Sequence, residues 1–442
     1  MSTVRRSLLR PAALAAGLGL LAVPGLGTPA SLAAGRPATT VAPVYAVSET
    51  PALYDDADGN NSNADDPAIW RDQTHPSRSL VIATAKEGGL RVYNLSGAVV
   101  QSLPAPAAPA PDAAPGRFNN VDLLTGVRFP DGRFDVAVVS DRGRDRIRTY
   151  KIDPAHPAAP LTDVTAASVP RVFAATEAEV DDQQTAYGVA SFTDRQTGRM
   201  YAIASRRHTT SVGLVELKVV AGRINYVPVR TIDLPASFPL PNGGTWTPCE
   251  DPGATPQVEG MVVDARTGTL YAGQEDVGIW KISAHLTGTP VLLDRVRDYG
   301  VPSTYDDATE TCVKGADPGF GGKHLTADVE GLTIYDDGHG GGYLLASSQG
   351  DNTFAAYDRR GPGRFLADFR IAPGASIDGS EECDGAGVSS GSFGPAFPHG
   401  LLVVQDGHNA PDVIGPDGEP RVNTNFKFVD WSDVAEATGL DD

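Results

Sequence analysis

Two adjacent aspartates open the stretch NADDPAIW, where Asp65 and Asp66 stand before a proline and a short apolar run ending in Trp70. Like charges repel and Asp is a poor strand former, so this carboxylate pair requires a partner. The arrangement returns as an acidic or polar residue opening an apolar run: NNVDLLTGV with Asp122, AYGVASF with Tyr187, VEGMVVD with Glu259, VEGLTIY with Glu330 and CDGAGVSS with Asp384. Carboxylates gathered in one small volume cannot all stay ionised unpaired; either some are protonated or cations neutralise them. All-oxygen donors suit Ca2+, which takes about six to eight oxygen ligands, ahead of Mg2+ with its stricter octahedral demand.

Basic residues follow at a second recurring position. Lys86 lies in TAKEGG, Arg142 in SDRGR, and Arg206 and Arg207 in SRRHTT, while Glu275, Gln349 and Asp406 take comparable places later in the chain. Arg binds phosphate or carboxylate in bidentate fashion and Lys supplies a point charge. A cation wall facing metal-loaded carboxylates suits a phosphoryl group, with ions polarising its oxygens and activating water. Other chemistries lack their residues. There is no Arg-His-Gly-x-Arg run, no Cys-x5-Arg, no Gly-x-Ser-x-Gly elbow and no P-loop, and His208, His324 and His408 have no spacing that demands a metal.

The elements that position these groups are short strands. The six openings, taken at Asp66, Asp122, Tyr187, Glu259, Glu330 and Asp384, lie 54 to 72 residues apart, long enough for four strands and their turns. Each is followed by hairpin-like runs such as LVIATAKEGGLRVYNL, TLYAGQEDVGIWKI and GYLLASSQGDNTFAAYDR. Apolar alternation, Gly-bearing turns and β-branched or aromatic enrichment mark these as β-hairpins. Six such repeats predict an all-β, six-bladed β-propeller whose first strands line a central channel. The segment near PVYAVSET is expected to complete the last blade and close the ring. Convergence of the inner-strand openings then collects Asp65, Asp66, Asp122, Glu259, Glu330 and Asp384. Asp328 and the turn residue Glu275 are expected to join them. Asp65 is assigned to the upper cluster, Asp66 to the channel below it, and Trp70 to packing alone.

Bulk composition fits. Gly (49) and Pro (35) are spread along the chain, and a formal charge of −19 argues against nucleic acid or an anionic membrane as partner. Residues 1–34 read as a secretory signal peptide, with Arg5, Arg6 and Arg10 ahead of an apolar stretch, so the protein is expected to be secreted and extracellular. Residues 35–45 read as a linker, 46–434 as the propeller and 435–442 as a tail. Three cysteines, none in Cys-x-x-Cys spacing, argue against zinc or redox chemistry. A monomer is expected, because blade edges are short and covered.

ADDPAIW, NNVD, VEGM, QED, HLTADVEGLTIY, YLLASSQG and VVQDGHN together resemble the β-propeller phytases, secreted calcium-dependent phosphatases of bacteria, over residues 46–434. The resemblance implies a 3-phytase that hydrolyses phytate or its calcium complex by direct in-line attack of a calcium-bound water. It implies several calcium ions, structural in the channel and catalytic on the top face. Asp65, Glu259, Glu275, Asp328, Glu330 and Asp384 would hold the catalytic ions, and Lys86, Arg142, Tyr187 and Arg207 the phosphate. Structural ions would map to Asp66 and Asp122, and to Asp378 and Asn409. The turn Arg206-Arg207-His208 departs from the Lys-acid pair of the family, and the segments 104–116, 236–257 and 298–323 are longer than its compact pattern. Cys249 and Cys312 lie in the last two, each shortly before an inner strand of adjacent blades, and are expected to pair, leaving Cys383 free. Two other readings remain: a calcium-dependent propeller lactonase, which would not need the Lys86/Arg142/Arg207 wall, and a non-catalytic binding propeller.

Overall fold

Six antiparallel four-stranded blades form a ring in the computed structural model, which describes residues 41–57, 61–111 and 113–442. The leader expected in residues 1–34 lies outside the described residues. The inner strands are Pro67–Trp70, Phe118–Phe129, Ala186–Thr193, Val258–Asp264, Val329–Asp336 and Ala386–Ser390. Within each blade the chain steps outward by hairpins, as in blade four: Val258–Asp264, Thr269–Gln274, Gly278–Ser283, Val291–Arg295. Apolar side chains of neighbouring blades interdigitate between the sheets, so that Ile203, Leu270, Ile279 and Leu344 share one buried cluster across blades three, four and five. No helix among the described residues is long and apolar enough to cross a membrane.

The N-terminal segment divides its pairing. Ser48–Glu49 adds to strand Asn423–Asp430 and closes blade six with the opposite end of the chain, as PVYAVSET led us to expect. Ala42–Val44 instead runs parallel to Phe365–Ile371 as a fifth strand of blade five. Strand-edge pairing uses backbone groups only, which leaves no side-chain signature to assign it.

The inner strands of blades two to five share one irregularity. Their register slips between Phe118 and Val121, Ala186 and Val189, Val258 and Met261, and Val329 and Leu332. Each bulge leaves two residues out of the ladder: Asn119-Asn120, Tyr187-Gly188, Glu259-Gly260 and Glu330-Gly331. Side chains of the next strand take up the freed N–H groups, with Ser140 Oγ accepting from Asn120 and Ser205 Oγ from Gly188. Thr84 Oγ1 accepts from Asp66 N–H in the same way, and Gln405 Oε1 from Asp384 N–H. Glycine follows the functional residue because inner strands touch there. A Cβ on Gly188 would lie 1.9 Å from Glu259 O, and one on Gly260 2.0 Å from Glu330 O.

The two long insertions form small hairpins, Phe238–Pro239 with Thr245–Trp246 and Ser303–Asp306 with Thr311–Lys314. A Cys249–Cys312 disulfide joins them, and Cys383 is a buried free thiol. Trp70 does more than pack: its Nε1 donates to Asp135 Oδ2 of blade two at 2.7 Å.

Candidate functional site

The bulges of blades two to five turn Asn119, Tyr187, Glu259 and Glu330 out of the ladder toward one another, and Asp65 and Asp384 take the corresponding places in blades one and six. Ligand oxygens of Glu259, Glu275 and Glu330 lie within 4.8 Å of one another, and all three residues are buried. Glu275 reaches the group from a hairpin turn, its N–H bonded to Gln257 O at 3.1 Å. Asp65 is 1 % exposed, and its Oδ1, like Glu330 Oε2, is shielded without a hydrogen-bond partner. Asp384 accepts from Gln349 Nε2 at 2.9 Å. Lys86 Nζ stands 3.4 Å from Asp384 Oδ2 and 3.6 Å from Asp65 Oδ2.

Burial, followed by mutual repulsion, holds the carboxyls of Glu275 and Glu330 well above their ordinary range. For Asp65 burial again leads, opposed by Lys86. Burial and then Asp276 push Asp328 up to about 7. Burial raises Asp276 to about 6, and burial with the Asp276 carboxylate raises Glu250 to about 9. Such a set is starved of positive charge. Two orphaned buried oxygens and an all-oxygen donor set fit a hard divalent cation such as calcium.

The opposite wall is cationic and centred on Tyr187. Arg142 and Arg207 lie 5.4 and 6.0 Å from its ring centroid. Arg142 is oriented by Asn119 Oδ1 and Gln183 Oε1, each at 3.3 Å. Arg207 donates to His208 Nε2, whose imidazole is held neutral, its pKa lowered to about 4 by burial and by Arg207. Arg206 points elsewhere, pinned to Glu179 Oε2 at 2.9 Å and Gln184 O at 3.0 Å. Lys86 bridges the two walls: burial opposes its charge, but Asp384 and Asp65 outweigh it and raise the pKa. The Tyr187 phenol is pushed well above its usual range by burial and then by Glu259, Glu275 and Glu330, so it stays a neutral donor, and it hydrogen-bonds Glu259.

Asp66 and Asp122 stand lower, along an axial cavity of about 240 Å³ that both line. Asp66 Oδ2 accepts from Val121 N–H at 2.9 Å, and Asp122 Oδ2 from Ser191 Oγ at 3.0 Å. Asp122 therefore stands in the channel with Asp66, where the resemblance sets a structural ion, and not among the upper carboxylates with which convergence of the openings grouped it. The bulge register makes Asn119 the counterpart of Glu259, with Asp122 three residues deeper, and Asp65 rather than Asp66 its counterpart in blade one. Asp378 and Asn409 lie elsewhere, around the fully shielded Lys427. Its ammonium meets Asp378 Oδ1, Glu49 Oε2 at 2.6 Å, Asn409 Oδ1 at 2.9 Å and Asp406 Oδ2 at 3.2 Å. Three carboxylates against one ammonium leave this pocket negative as well, although the Asn409 oxygen is already engaged, also accepting from Asn425.

Several participants escaped sequence reasoning. Asn119 donates to Glu259 Oε1 at 2.6 Å. Arg117 stands among Asp65, Arg142 and Tyr187, its Nε shielded and unpartnered and its pKa lowered to about 10 by burial and Arg142. Both belong to RFNNVD, where position beside the recurring opening was the available signal.

A family model described as Phytase matches residues 12–225 and 253–442. The chain is 33% identical over 378 residues to a 3-phytase of Bacillus subtilis (strain 168), an alignment covering 85% of this chain and 81% of that protein. Among solved structures, BBS1N in complex with ARL6DN matches at 10% identity and TM-score 0.38, over 82% of this chain and 78% of that one. A protein from Lactobacillus plantarum matches at 13% identity and TM-score 0.37, over 69% and 71%. Likeness at that level carries nothing about function.

Proposed function

Because the chain belongs to the phytase family, we propose that it hydrolyses phosphate from myo-inositol hexakisphosphate in a calcium-dependent reaction. The observation that carries this reading is the meeting of a cation-starved carboxylate trio with a guanidinium wall across Tyr187. Bound calcium supplies the missing positive charge, polarises phosphate oxygen and lowers the pKa of water. Glu259, Glu275 and Glu330, with Asp65, Asp328 and Asp384 around them, hold it. Lys86, Arg142 and Arg207 bind the equatorial oxygens of the phosphate and orient it for in-line displacement. The neutral Tyr187 phenol donates a hydrogen bond. The one free thiol, Cys383, is buried and its pKa is pushed far up by burial, which makes it no nucleophile, and water attacks directly. Asp66 and Asp122 in the channel, and Asp378 beside Lys427, serve further calcium ions that stabilise the ring. Secretion into a calcium-rich medium completes the reading. The Lys86, Arg142 and Arg207 wall favours it over a lactonase, which needs no such cations, and phosphate release separates it from a binding propeller.

Phosphate release from phytate near neutral pH, measured with calcium and again with a chelator, tests it. Release is expected with calcium, loss on chelation and return on re-addition. No release with calcium present would end the proposal.

A further inference from the structure

Gln257 ends the long insertion that Cys249 pins to Cys312. Its Nε2 donates to both carboxylate oxygens of Glu275, each at 2.9 Å, and its Oε1 accepts from His208 N–H at 2.7 Å. Its backbone carbonyl accepts from Glu275 N–H at 3.1 Å, and Thr255 N–H donates to His208 O at 3.1 Å. One side chain therefore grips a member of the buried carboxylate trio and the turn that carries Arg207.

A carboxamide carries a donor and an acceptor on one rigid plane, and here each is turned to a different partner. A carboxylate at the same place would accept from His208 but repel Glu275. A hydrocarbon would strand a buried carboxylate and an amide N–H. Groups that hydrogen-bond metal ligands fix their angle and strengthen metal binding. We propose that Gln257 is a positioning residue that sets the Glu275 carboxylate for the cation and fixes its distance to Arg207, holding metal and phosphate in register. The recurring motifs of either wall do not include it, and the disulfide-anchored insertion delivers it.

The proposal rests on the calcium reading above, and calorimetric calcium titration of the whole chelator-stripped protein separates the two. Gln257→Met keeps length and volume. It is expected to weaken calcium binding by about 10–100-fold and to raise the KM for phytate, two effects that a loss of fold stability by itself would not produce. Gln257→Asn keeps the amide, shortens its reach, and is expected to lose affinity in the same direction if the Met variant does not fold. Calcium binding equal to wild type in these variants would overturn the role of Gln257, as would a fall in melting temperature alone. A wild-type protein that took up no calcium would sink the calcium reading and this proposal with it.

Discussion

At the scale of single residues the site is a contest between charges that the backbone forces together. Lys86 stands where the contest is closest, between Asp65 and Asp384 and facing the arginines. Its φ of 48° places it in the left-handed region, uncommon for a residue other than glycine, at the tip of a hairpin whose carbonyl accepts from Phe118 N–H of the next blade. On the proposed function, removing the ammonium would take a phosphate contact away while calcium would keep the carboxylates neutralised. Lys86→Ala is therefore expected to lower kcat/KM by about 10²–10³-fold with the fold intact in calcium. The neighbouring arginines give a sharper test, because chain position does not separate them and geometry does. Arg207→Ala should cost a comparable loss, whereas Arg206→Ala, which severs only the ties to Glu179 and Gln184, should stay within a few-fold of wild type. Steady-state kinetics on phytate decides. Equal losses from both arginines would show that the turn, and not a particular guanidinium, matters.

At the scale of elements the decisive device is the bulge that opens the inner strands of blades two to five. It was half legible in sequence. Val-Glu-Gly stands twice and Ala-Tyr-Gly and Cys-Asp-Gly once each, so blades three to six could be aligned by eye. NADDPAIW and NNVD lack the glycine, which is why Asp66 and Asp122 were set against Glu259 although Asp65 and Asn119 occupy its place. An amide in a row of carboxylates looks like a gap, and only the bond from Asn119 to Glu259 shows that it completes the row. Gln257 was not legible at all, since its role exists only where turns of two blades meet. The strands themselves were legible because alternation is a local property, whereas the partner of a strand edge is not, as Ala42–Val44 shows. The glycine requirement has a direct consequence. Any Cβ on Gly260 would press on the carbonyl of Glu330, which is backbone and cannot swing away. Gly260→Ala is expected to destabilise by about 1–3 kcal/mol and, on the proposed function, to weaken calcium binding, because the strand that must shift carries Glu330. Thermal melting with calcium titration checks both, and an unshifted midpoint with normal calcium uptake would contradict the close approach.

At the scale of the whole molecule, a chain with a formal charge of −19 concentrates carboxylates on its own axis, so its stability must depend on pH and, on the proposed function, on calcium as well. The sign follows from proton uptake. Without metal, burial and neighbouring carboxylates push Asp328 up to about 7, burial pushes Asp276 up to about 6, against 3.8 for the unperturbed group, and Asp65, Glu275 and Glu330 are also raised. Between those limits the folded state holds more protons than the unfolded state, so stability is fully present below about pH 4 and falls as pH rises through 6 and 7. Lys86 and Arg117 beside Asp65, and Lys314 beside Asp276 and Asp328, reduce the penalty without removing it. Groups lowered in the fold act in the other direction: His208, at about 4 against 6.5, and His324 offset part of the fall inside this window, and the lowered carboxylates act toward its acid end. Asp194, held at about 2 by the Thr197 N–H and by His285, contributes in full above 3.8 and loses its contribution only in stronger acid. On the proposed function calcium would displace the protons and cancel the penalty, so its stabilising increment would grow with pH. Melting temperatures from about pH 4 to about pH 8 should fall with pH in chelator and stay level in calcium, with the two curves converging at the acid end. Chelator and calcium curves that rise together with pH would mean that the axial carboxylates are already balanced without metal.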